Sequence, residues 1–144
     1  MSNRFEGVGN VGATPEVRWV GVRGEQRPVL ELRVYFDRRV QKGEGKFEDD
    51  GGFWLTVSQW GSRAEGLAKL LQKGSRIQVI GTLRQEQWED RESGANRSEL
   101  RITAEAICID PVCLESVTYR PRRTAESGAR STPADEFNPD EIPY

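Results

Sequence analysis

The sequence predicts an all-β fold: a five-stranded barrel with one short helix, followed by a disordered C-terminal tail. Three observations carry this. Apolar and polar residues alternate with a period of two over 29–39, 53–60 and 75–88. One segment, 63–73, has helical spacing. Apolar periodicity fades after about residue 114, where proline, serine, threonine and alanine take over.

The segments Phe5–Val11 and Val17–Val22 read as a first strand or hairpin, broken near Thr14-Pro15. In 29–39, Leu30, Leu32, Val34 and Phe36 face one way, and Glu31, Arg33, Tyr35 and Asp37 the other. In 53–60, Phe53, Leu55 and Val57 are the expected core set, against Trp54, Thr56, Ser58 and Trp60. Strand 75–88 is long and holds Gly81, which marks a bulge or bend. Its buried set is Ile77, Val79 and Leu83; Arg76, Gln78, Thr82, Arg84 and Trp88 share the other face. Glu99–Ile109 is apolar and β-branched enough for a last strand, with Cys108 as a small buried hydrophobe.

Ser62-Arg63-Ala64-Glu65 has the form of a capping box, and Ala64, Leu67, Ala68 and Leu71 follow on one stripe. Lys73-Gly74 closes the helix. Two polar, glycine-containing connections, 41–52 and 89–98, are long for hairpin turns. A helix between the third and fourth strands of a five-stranded barrel is the OB-fold arrangement, which commonly binds oligonucleotides or oligosaccharides.

Composition narrows the function. The 144 residues carry a net charge of −2 and are 35% hydrophobic and 31% charged. Residues 1–114 are neutral overall, and the negative sum comes from 115–144, whose last twelve residues carry acids and no base. Histidine is absent, which excludes histidine triads and histidine metal sites. Cys108 and Cys113 are too few for a zinc site. The N-terminus lacks the apolar core of a secretory signal, and no apolar run approaches the ~20 residues that span a bilayer. The expectation is a cytoplasmic protein with reduced thiols, no cofactor, no metal and no membrane partner.

The tryptophans give the sharper clue. Trp54 and Trp60 fall on the polar face of their strand, separated by small hydroxyl residues, and Trp88 shares a face with Arg84. Tyr35 and Arg33 do the same on 29–39. Rings that stack on unpaired bases, beside cations that meet phosphates, are how single strands are held without sequence reading. Trp19 is compatible with either core or surface.

These residues sit in motifs that resemble bacterial single-stranded-DNA-binding proteins. Val8-Gly9-Asn10-Val11-Gly12-Ala13-Thr14-Pro15-Glu16-Val17-Arg18 is similar to the family's opening motif. Phe53–Gly61 is similar to its aromatic strand, and Leu70–Arg84 followed by Trp88 to its later strand. Asp140-Glu141-Ile142-Pro143-Tyr144 resembles its acidic tip, with tyrosine in place of phenylalanine and the acids interrupted by Asn138-Pro139. The family carries a further aromatic where Val40 stands here, and a histidine where Leu55 stands.

The resemblance implies an OB-fold single-stranded-DNA-binding domain over 1–114, a disordered linker over 115–134 and a partner-binding tip over 135–144. It implies a non-enzymatic homotetramer that coats and protects single-stranded DNA in replication, recombination and repair. Base stacking falls to Trp54, Trp60 and Trp88, with Tyr35 in reserve. Beside what the resemblance implies, Arg33, Lys73, Arg76, Arg84 and basic residues of the two long connections are the cations expected to meet phosphates. Replication and repair proteins dock on Asp140, Glu141, Ile142, Pro143 and Tyr144. Two other readings compete. One is an OB-fold interaction module of a primosome or a conjugation or mobile-element assembly, with the aromatics buried between subunits. The other is a nuclease with Glu48-Asp49-Asp50 on a metal, against which a flexible acidic turn is the simpler account.

Overall fold

The alternation of apolar residues on one strand sets the centre of the molecule. In the computed structural model, which describes residues 3–122, strand β3 (Glu25–Phe36) buries Leu30, Leu32, Val34 and Phe36 on one side. Its neighbours are β1 (Arg4–Val11), β2 (Glu16–Val22) and β6 (Phe53–Trp60). Strands β7 (Arg76–Glu89) and β8 (Asn96–Ile109) complete the sheet, in the order β1-β7-β8-β6-β3-β2.

A further pairing of β1 with β3 closes the sheet on itself. The ring is therefore β1, β7, β8, β6 and β3, which is the predicted five-stranded OB barrel. All its pairings are antiparallel except β6 with β8. β1 and β2 lie along the same edge of β3, at Val34–Tyr35 and Glu25–Glu31 respectively. They behave as one first strand broken across 12–15. Helix α1 (Ser62–Leu70) falls between the third and fourth barrel strands.

Several local details depart from the sequence reading. The capping box does not form: Gly61, at φ 88°, is the N-cap, and Ser62 already lies inside the helix. The helix stops at Leu70 rather than at Lys73, because Leu71 turns extended to bury its side chain in the core. Connection 41–52 is part of a two-stranded arm, β4 (Arg39–Gln41) against β5 (Phe47–Asp49), which begins before it. Phe53, expected in the core, is 47% exposed at the mouth of the barrel, where it meets Phe36 and Phe5 ring to ring.

The expected irregularity at Gly81 is present, and the extra residue sits on the partner strand. Ile80 pairs with Ala106 and Gly81 with Ala104, so Glu105 stands unpaired. A Cβ on Gly81 would come within 2.9 Å of the Ala104 Cα, so only glycine permits this approach. The inserted residue leaves the alternation of β7 intact and reverses that of β8. Ile102 and Ala104 face the core before it, and Ile107 and Ile109 after it. Cys108 is consequently exposed, not buried.

Every strand and the helix lie in the compact unit that ends at Leu114. Residues 115–122 hold no strand or helix. The expected tip, residues 135–144, lies outside the described residues, as does most of the expected linker.

Candidate nucleic-acid interface

The outward positions of β3, β6, β7 and β8 form one surface around the barrel. Directly opposed residues share a face, so register fixes which side chains meet. Trp54 opposes Tyr35, Tyr35 opposes Asn10, and Asn10 opposes Arg76. Four strands thus contribute one continuous row: Trp54, Tyr35, Asn10, Arg76. Far along the β7–β8 hairpin, Trp88 opposes Arg97. Trp60 ends β6 opposite Val29. All three indoles stand substantially in solvent: Trp54 is 48%, Trp60 37% and Trp88 44% exposed. Trp19 is also exposed, on β2.

The Trp54 ring is held from three sides. Tyr35 lies 5.2 Å away between ring centroids, and the Arg33 guanidinium 5.9 Å from the indole centroid. Below it runs the backbone of Gly12, whose amide donates to the Arg33 carbonyl at 2.8 Å. A Cβ on Gly12 would lie 2.7 Å from the indole Cη2, so the ring rests on bare backbone. Beside Trp54 opens an apolar groove of about 510 Å³, lined by Phe5, Phe53, Leu55, Leu83 and Leu100 and rimmed by Arg33 and Glu99. Trp88 and Arg97 line a second cleft of about 380 Å³ with Asn96 and Ser98.

Tyr35 is tied to the β4–β5 arm. Its hydroxyl donates to the Asp49 carboxylate at 2.5 Å, and that bond holds the phenol above its ordinary pKa. The same carboxylate accepts from the Arg38 amide, and Lys42 pairs with Glu48 at 3.8 Å. Asp49 and Glu48 of the acidic turn thus have local partners. Among the described residues no group of three His, Cys, Asp or Glu could hold a metal. The arm also carries Phe47, 61% exposed.

The basic candidates differ in their surroundings. Arg76 is clamped by the mostly buried Asp37 at 2.9 and 3.3 Å and also donates to Asn10. This ion pair holds the Asp37 carboxyl below, and the Arg76 guanidinium above, its ordinary pKa. Lys73 is exposed in the turn after α1, where Gly74 bonds back to Val11. Arg84 is exposed and donates to Thr103 Oγ1 at 3.2 Å. Arg33 donates to Thr56 Oγ1 and to Glu99 at 3.0 Å.

The sequence reading missed the centre of this surface. Arg101, opposed to Arg84 and to Thr56, pairs with Glu86 at 2.8 Å, Glu99 at 3.4 Å and Glu31 at 3.6 Å. Glu31 also pairs with Arg18. This lattice covers Thr56 and Ser58, which are buried although they point away from the core. Alternation at Arg97, Glu99, Arg101 and Thr103 was the available signal. At the hairpin tip, amides of the turn and Arg97 bind Asp90 and hold its carboxyl below the ordinary range.

Comparison with known proteins agrees with this architecture. The model of the single-strand binding protein family matches residues 2–110. A single-stranded DNA-binding protein of Thermosynechococcus vestitus is 33% identical over 102 residues, covering 71% of this chain and 77% of that protein. One from Corynebacterium glutamicum is 34% identical over 101 residues, covering 69% and 43%. The chain spans 43% and 58% of the lengths of the Corynebacterium relative and of a Streptomyces coelicolor one. The crystal structure of a small single-stranded DNA-binding protein from S. coelicolor superposes with a TM-score of 0.64 at 23% identity, over 78% of this chain and 97% of that one. That likeness concerns the fold. A closed OB barrel with indoles raised on its outer strands, matched by the family model over 2–110, places this chain in the single-strand binding protein family.

Proposed function

We propose that the chain binds single-stranded DNA without reading its sequence, and that it coats and protects such strands in replication, recombination and repair. One observation carries the reading. Trp54, Trp60 and Trp88 stand substantially exposed on the outer face of the barrel, where apolar rings gain from a stacking partner. Unpaired bases supply one; duplex bases are already stacked. In this reading Arg33, Lys73, Arg76 and Arg84 meet phosphates, with Arg97 of the β7–β8 hairpin; Asn10 and Arg76 continue the Trp54 row toward β7, which supports it. Tyr35 supports Trp54 from the side. In this reading the chain is not an enzyme. It assembles as a homotetramer in the cytoplasm on nucleoid DNA, and residues 140–144 recruit replication and repair proteins.

Titration with oligo-dT tests it. Intrinsic tryptophan fluorescence falls on binding, and alanine at Trp54, Trp60 or Trp88 weakens binding by about 1–3 kcal/mol each, five- to 150-fold. Light scattering on the same samples reads the assembly mass. Deleting residues 135–144 leaves or tightens DNA binding and abolishes partner capture. Unchanged fluorescence with saturating oligo-dT overturns the reading and favours an interaction module.

A further inference from the structure

The arginines at the centre of the tryptophan-bearing surface are already occupied. Glu99 is the hub. Its Oε1 accepts from Arg33 at 3.0 Å and from Thr56 at 2.9 Å, and its Oε2 lies 3.4 Å from Arg101. Glu86 and Glu31 bind Arg101 from two other strands, and Glu31 also holds Arg18. Glu86 and Glu99 oppose each other directly across β7 and β8, a like-charge pair that Arg101 bridges. Glu99 lines the groove beside Trp54, and its rung with Glu86 lies next to that of Trp88 with Arg97. A strand stacked on both indoles therefore passes Glu99 and Glu86.

We propose that Glu99, supported by Glu86, is a built-in competitor for the DNA backbone and sets how tightly this face holds a single strand. The inference rests on the binding reading above. A carboxylate and a phosphate offer the same chemistry to a guanidinium: two anionic oxygens for a planar fork. The competitor is accessible, because the Glu99 side chain is 29% exposed and that of Arg33 46%. Exposed ion pairs add little to fold stability, so the effect of these carboxylates falls on the incoming polyanion. A phosphate reaching Arg33 or Arg101 displaces Glu99 and then lies beside a freed like charge. The exchange keeps the guanidinium paired throughout and changes the local ion atmosphere little. Stacking then leads the affinity, and binding depends on salt less steeply than the number of basic residues suggests.

The test compares the full chain with Glu99→Gln, Glu86→Gln and Glu65→Gln in oligo-dT titrations over a range of salt. Glu65, in the first turn of α1, is exposed and takes no part in the lattice, so its variant controls for net charge. E99Q is expected to bind roughly fivefold tighter at low salt. Its salt slope steepens by about 0.7 for each arginine that gains a phosphate. E86Q shifts the same way by less, because Glu99 keeps Arg33 and Thr56; it also serves if E99Q melts early. E65Q binds as the wild type does. Equal tightening in E65Q and E99Q, or unchanged or weaker binding in both E99Q and E86Q, overturns the proposal. Failure of the wild type itself to bind oligo-dT refutes the underlying function instead.

Discussion

Gly12→Ala isolates the role of Trp54 without touching an aromatic residue. The backbone at Gly12 does not adopt positive φ, so alanine adds no conformational strain. Its amide still reaches the Arg33 carbonyl. The one new group is a methyl, 2.7 Å from the indole Cη2, where carbon atoms prefer about 3.5–4.0 Å. The ring must therefore move by roughly 1 Å or tip off its bed. It is about half exposed, so it is free to tip outward, and the melting temperature changes little. Its stacking plane relative to Tyr35 and Arg33 does not survive. If one base stacks there, G12A loses up to the whole contribution of that platform, about 1–3 kcal/mol, or five- to 150-fold in oligo-dT affinity. Fluorescence titration reads the affinity, and differential scanning calorimetry confirms the fold. A G12A binding curve that overlays the wild-type curve refutes the argument that Trp54, held in this orientation, carries a base.

Three further outcomes follow from the same geometry. Asp37→Asn leaves Arg76 without its carboxylate and lowers stability by about 1–3 kcal/mol at neutral pH. Because the folded pKa of Asp37 is depressed, its contribution is complete above the ordinary value of 3.8 and is lost as pH falls through the folded value. Melting curves of wild type and D37N should converge there; a gap independent of pH contradicts the ion-pair account. Gln59→Leu removes a buried amide oxygen that has no hydrogen-bond partner and raises stability by about 1 kcal/mol, read by urea unfolding. Tyr35→Phe cuts the hydroxyl bond to Asp49, so amide exchange quickens in Arg39–Gln41 and Phe47–Asp49 and stays slow in the barrel.

Where one side of a strand is core, spacing alone reveals it. The inward sets Leu30, Leu32, Val34, Phe36 and Ile77, Val79 were legible, and with them the outward placement of Trp54, Trp60 and Trp88. Features made by tertiary contact were not. Cys108 read as buried because a bulge residue cannot be located from one strand, and Glu105 reverses every position after it. Ser62 and Glu65 matched a capping pattern, but the sharp turn at Gly61 had taken the cap. Thr56 and Ser58 read as surface because their cover, Arg33, Glu99 and Arg101, comes from strands far along the chain. The ion pairs stayed hidden for the same reason: Glu31, Glu86 and Glu99 meet Arg101 only once the barrel closes.

The double pairing of β1 has a consequence for synthesis. Phe5 zips against Gly81, and Val11 against Val34, so the earliest stave of the barrel waits for a partner some seventy residues later in translation. Until β7 leaves the ribosome, β1 presents a free hydrogen-bonding rim, the kind of rim on which chains join one another. Cleavage before Gly12 bares the facing rim of β7 in the finished protein, by unseating the strand that touches both sides of the seam.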